Sequence, residues 1–189
     1  MESSGINMTE NKSIVKTDKA LRKAFCEFLG EDGYYVPTVQ QLVDRAEISK
    51  PTFYRRYENI ENFIESEISF AVNSVCENVQ RFEKALEEQR VSAKKITANF
   101  DKNASTVQLI QALIHSQYFY DYSKRLMQQI NRVYNEKDYV KAMTAQEKGK
   151  YMLYISIILS HCYICYPKDS IDVVLDYLRA SRDILLPDS

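Results

Sequence analysis

No stretch of this sequence reaches the ~20 apolar residues that a membrane-spanning helix needs. The nearest, Tyr151 to Tyr166, is interrupted by Ser156, Ser160 and His161. Histidine occurs twice and glycine four times. The patterns that mark many enzyme centres are missing: no G-x-S-x-G elbow, no glycine-rich phosphate loop and no H-E-x-x-H pair. Paired carboxylates such as Glu87-Glu88 fall at exposed helix ends. No catalytic residue, metal ligand or cofactor is therefore expected. The N-terminus lacks an apolar signal core, which places the chain in the cytoplasm as an expectation. The four cysteines have no framework spacing and are expected as thiols rather than disulfides. No segment alternates apolar and polar residues as a half-buried strand would, and no internal repeat occurs. The fold class is all-α.

Net charge is close to zero, at −1, which argues against indiscriminate attraction to nucleic acid. Its distribution is uneven. Lys12 to Tyr57 holds nine Lys/Arg against six Asp/Glu, a local +3, and Glu58 onward is −2. A slightly basic N-terminal part on an acidic remainder is the sign that a DNA-reading element requires.

The most specific stretch is Pro37 to Tyr57, PTVQQLVDRAEISKPTFYRRY. Thr38 is an N-cap, and Gln41 three residues on completes a capping box. Val39, Leu42, Val43 and Ala46 give one apolar face at helical spacing. After Glu47-Ile48 a second cap, Ser49, restarts the helix, and Pro51 falls in its first turn, where a missing N–H does little harm. Phe53 and Tyr57, four apart, pack inward; Lys50, Thr52, Tyr54, Arg55 and Arg56 stay on or near the outer side. This is a helix-turn-helix pattern with a basic, hydroxyl-bearing second helix. Lys and Arg neutralise phosphates or read guanine edges, and Thr and Tyr hydroxyls bond phosphates. An ordinary helical hairpin with a solvated basic face has the same pattern.

From about Thr17 to Phe63, a quarter of the chain, the sequence resembles the N-terminal domain of the tetracycline-repressor (TetR) family of transcriptional regulators. Thr38, Leu42, Val43, Ala46, Ile48, Ser49, Thr52, Phe53, Tyr54 and Tyr57 occupy matching positions. Two departures stand out. Glu47 replaces the usual turn glycine, so the turn needs another geometry or places Glu in an uncommon backbone region. Glu58, Asn59 and Ile60 stand where the family carries lysines just after the recognition helix, so that phosphate clamp lacks its usual residues.

Three parts are expected in order: a disordered arm over 1–16, a helix-turn-helix DNA-binding domain over 17–58, and a helical regulatory and dimerisation domain over 59–189. Helix 1 is expected from Thr17, with Ala20, Leu21, Ala24, Phe25, Phe28 and Leu29 as its apolar stripe and Gly30 and Gly33 ending it. A long helix follows from Asn59 through Leu86, ~28 residues or about 42 Å, joining the two domains. Beyond it come a weaker helix over Gln89 to Asp101, one capped by Ser105 that continues with or without a kink to about Tyr134, an apolar helix over Thr144 to Tyr166 and a last one over Ile171 to Leu186.

Two further constellations invite chemistry. Cys162-Tyr163-Ile164-Cys165 is a C-x-x-C, yet it lies inside an apolar helix with no second pair and no histidine at metal spacing, so buried thiols are the simpler reading. Cys26 and Cys76 read the same way. Tyr118, Tyr120, Tyr122, Tyr134, Tyr139, Tyr151, Tyr154 and Tyr163 suit either core packing or an apolar cavity with hydroxyl handles.

The resemblance implies the rest. It gives a repressor that binds a palindromic double-stranded DNA operator as a homodimer paired through the last two helices. Thr38, Lys50, Tyr54 and Arg56 would hold phosphates, and Gln40, Pro51, Thr52 and Arg55 would approach base edges. A small apolar or aromatic ligand, with His115, Phe119, Tyr151 and Tyr154 as lining residues, would act through the long helix. An interaction protein of the same fold that has lost operator binding is the other reading.

Overall fold

The computed structural model describes residues 8–87, 102–137, 141–159 and 180, and the side chains of these save 8–13, 82, 83, 85–87, 135 and 154–159. Among the described residues every regular element is helical. They form α1 (Met8–Glu31), α2 (Val39–Arg45), α3 (Lys50–Tyr54), α4 (Ile60–Glu87), α5 (Ala104–Ile114), α6 (Phe119–Asn135) and α7 (Ala145–Leu159). None of the described helices is long and apolar enough to cross a membrane.

α1 starts at Met8, not at Thr17, so residues 8–16 belong to a helix and not to an arm. Apolar periodicity begins only in the second half, where Leu21, Ala24, Phe25, Phe28 and Leu29 are buried. Nothing between Met8 and Leu29 is Pro or Gly. Once that half is packed, each preceding residue adds a hydrogen bond without a new nucleus. Gly30 lies inside the helix rather than ending it.

Gly33, just beyond the end of α1, has a different task. A Cβ there would sit 2.6 Å from the His115 backbone oxygen. The turn between α5 and α6 is thus packed directly on the α1–α2 connection. Gln117 N donates to Gly33 O at 2.9 Å, and Gln117 Nε2 donates to Tyr34 O at 2.9 Å.

α4 begins where expected. Asn59 Oδ1 accepts from Asn62 N at 2.8 Å, and the helix runs 28 residues. Its buried positions Phe63, Ile64, Ile68, Ala71, Val72, Val75 and Val79 join the buried residues of every other helix in one continuous core. The most extensive pairings are α1 with α5 and α4 with α6.

Two sequence boundaries shift. α5 follows Asn103 rather than Ser105. The helix expected to run on to Tyr134 breaks at His115 to Tyr118, where Ser116 Oγ donates to Leu113 O and accepts from Tyr118 N. A serine that can satisfy both ends of a broken ladder favours the turn. Thr144 caps α7 with Glu147 in a reciprocal pair. Gln89 to Asp101, residues 160–166 of the apolar helix, and Ile171 to Leu186 save residue 180 lie outside the described residues, as do Cys162 and Cys165. Burial pushes the Cys26 thiol up to about 12 and the Cys76 thiol to about 11, so both stay protonated and unreactive at neutral pH.

Candidate nucleic-acid interface

The segment from Thr38 to Tyr57 folds as its caps dictate. Gln41 N donates to Thr38 Oγ1 at 3.3 Å, and Thr38 N donates to Gln41 Oε1 at 2.9 Å, which closes the capping box. Ser49 accepts from Thr52 N at 3.3 Å. Between the two helices Glu47 takes φ 55, in the left-handed region. The missing turn glycine is therefore answered by strain and not by another turn.

A non-glycine residue in that region costs about 1–2 kcal/mol, partly offset for glycine by the entropy of its unfolded chain. Glu47→Gly is expected to stabilise the protein by about 0.5–1 kcal/mol, read as a higher urea midpoint at unchanged slope. A lower midpoint would show that the Glu47 side chain contributes more than its backbone costs.

α3 is only five residues long and is held by one ring. Phe53 is fully buried, with ring centroids 5.4 Å from Tyr57 and 6.1 Å from Phe63. From the same short helix, Lys50, Pro51, Tyr54 and the cap residue Arg55 are exposed. Thr52 is half-buried and shares a 2.9 Å hydroxyl contact with Ser49. Thr38 and Gln40 are exposed on α2 and its cap, but both are engaged: Thr38 by Gln41, and Gln40 Nε2 by Asp44 Oδ1. These residues form one outward face on two adjacent helices.

Arg56 departs from that face. Its Nη2 donates to Asp18 Oδ2 of α1 at 2.6 Å, and Tyr57 OH donates to Asp18 Oδ1 at 3.3 Å. The Arg56 side chain is about one-fifth exposed, and its Nε is buried with no hydrogen-bond partner. Arg56 is thus tied to α1 through Nη2, and its side chain lies mostly within the packing between α1 and α3.

Beneath this face lies a second ion pair that sequence reasoning missed. Arg22 of α1 donates through Nε and Nη2 to both oxygens of Glu67 of α4, the latter bond at 3.0 Å, and both side chains are buried. The guanidinium also stacks over the Phe70 ring, 3.6 Å from its centroid. Burial lifts the Glu67 carboxyl above its ordinary range, while the bonds from Arg22 pull the other way. Glu67 stands at a core register of α4 between Ile64 and Ile68, a signal that the sequence did offer. Its partner, 45 residues away, it did not.

The residues expected to line a ligand cavity are dispersed. His115 and Phe119 are exposed at the α5–α6 turn, and Tyr151 is buried with its ring 5.3 Å from that of Tyr134. The side chain of Tyr154 lies outside the described residues. An open groove of about 390 Å³ does flank α4, but α6 forms its other wall. Ser69, Val72, Asn73, Arg125, Gln128, Gln129 and Arg132 line it, a polar set rather than an aromatic one. No group of three or more potential metal ligands occurs among the described residues. No family model, no curated protein and no solved structure matches the chain, so its likeness to the tetracycline-repressor family rests on the residues of the Thr17 to Phe63 segment alone.

Proposed function

We propose that this chain is a DNA-binding transcriptional regulator of the tetracycline-repressor type, a repressor that holds a palindromic operator as a homodimer. The observation that carries the reading is α3. One buried ring anchors it, while Lys50, Pro51, Tyr54 and Arg55 face outward. That division suits a recognition helix, with α1 to α3 as the helix-turn-helix head and α4 as the strut to a regulatory and dimerisation domain. Lys50 and Tyr54 hold phosphates, and Pro51, Thr52 and Arg55 meet base edges, with Thr38 and Gln40 at the flank. A small ligand in the C-terminal part releases the operator by favouring the DNA-incompetent state of the strut. Assembly through the C-terminal segments expected as helices, Thr144 to Tyr166 and Ile171 to Leu186, supplies the second head.

Selection of duplexes from a random pool by the purified chain tests this. The expected product is a palindrome whose half-sites lie about 34–36 Å apart or a multiple of that. Binding should weaken steeply with salt, and the free protein should sediment as a dimer of the 22.1 kDa chain. A pool with no enriched sequence, or a monomer at micromolar concentration, would remove the reading.

The withdrawal of Arg56 and the exposed Glu47 and Glu58 beside α3 favour a second function, docking of a protein partner by a fold that no longer reads DNA. That alternative predicts a dimer with no salt-dependent DNA binding.

A further inference from the structure

Four charged side chains and one phenol form two bonded groups that meet on α1, one turn apart. Arg56 and Tyr57, just after α3, both bind Asp18. Asp18 and Arg22 lie one turn apart on α1, and Arg22 grips Glu67 of α4 with two bonds. The groups also share a field. The Asp18 charge raises both the Tyr57 phenol and the Glu67 carboxyl, in each case after burial as the larger cause.

We propose that Asp18 and Arg22 are positioning residues that lock the orientation of α3 to that of α4, through Arg56 on one side and Glu67 on the other. This rests on α3 being the DNA reader, since only then does its orientation decide an activity. α3 has five residues and one fully buried ring, so the contacts of Arg56 and Tyr57 just beyond its end add to the hold of Phe53 on Phe63. The Asp18 carboxylate adds two fixed points beyond the helix end. On the other side, apolar contacts let α1 and α4 slide, whereas a bidentate guanidinium–carboxylate pair permits one register. A buried ion pair adds less to stability than an apolar pair of the same volume, and fixing a register is its best-attested use. A tilt of α4 must then either carry α1 and α3 with it or break a buried pair.

The test replaces the pair without leaving a buried charge. In the full chain, Arg22→Met with Glu67→Met is expected to melt within a few degrees of wild type. Amide exchange of residues 50–57 should accelerate several-fold, and affinity for the duplex selected by wild type should fall about tenfold at unchanged salt slope. Unchanged exchange in a folded variant overturns the proposal. If wild type selects no duplex, the DNA-reading assignment fails, while the exchange measurement still decides whether the pair fixes α3. Should the double variant not fold, Arg22→Lys keeps the charge but loses the two-pronged grip. The same faster exchange is expected, and wild-type exchange would again overturn the coupling.

Discussion

Phe63→Ala is expected to remove about 3–5 kcal/mol of stability. Phe63 is fully buried in the first turn of α4. Its ring meets Phe25 of α1 edge-on at 5.5 Å and Tyr57 edge-on at 5.2 Å, and lies 6.1 Å from Phe53 of α3. Truncation loses the transfer energy of the ring and opens a cavity whose walls belong to three separate segments. Those walls are themselves rings, which cannot collapse into the gap without leaving their own rotamers. Against a total stability of about 5–15 kcal/mol, that loss leaves a marginal protein. Phe63→Leu keeps most of the volume and should cost under about 1.5 kcal/mol. Denaturant midpoints for the two variants measure the contrast. If alanine and leucine cost the same small amount, the rings do not form the central joint of this fold.

Arg55→Ala and Lys50→Ala should separate specificity from attraction. Both side chains are exposed on the outer face of α3. A guanidinium can bond both acceptors of a guanine edge, a geometry that an ammonium cannot match, and such a contact discriminates by about 1–3 kcal/mol. Arg55→Ala should therefore flatten preference at one base position of each half-site, with other sequences bound almost as before. Lys50→Ala should weaken every sequence alike and reduce the salt slope by about one per head. Competition assays with single-base variants of the selected duplex read the first effect, and a salt titration reads the second. Two variants that bind all duplexes like wild type would show that α3 reads no DNA. By the same geometry Arg56→Ala should act through the hold of Asp18 on α3, read as faster amide exchange of residues 50–57, rather than through a lost phosphate contact.

Local chemistry made the N-terminal helices legible in the sequence. Thr38 with Gln41 and Ser49 with Pro51 fix where α2 and α3 begin, because a cap satisfies orphan N–H groups with atoms a few residues away. The apolar registers of α1 and α4 likewise show which faces turn inward, since helical period alone decides them. Glu47 is a similar case: its residue type marks the turn in the sequence, and its backbone takes the left-handed conformation that a glycine would fill.

What the sequence could not decide were matters settled by distant partners. Arg56 sits beside Arg55 and has the same local environment, yet one faces solvent and the other bonds Asp18, 38 residues earlier. Glu67 shows a core register in the sequence, but that Arg22 is its partner appears only when α1 and α4 bring the two within 3.0 Å, both buried. The break at His115 to Tyr118 packs against the α1–α2 connection at Gly33, where a Cβ would meet the His115 backbone oxygen at 2.6 Å. His115 and Phe119 are left exposed by that turn, although their spacing suits a helix facing inward. Caps and periods are written into neighbouring residues; the choice of which charge is buried, and against what, belongs to the packing of whole helices.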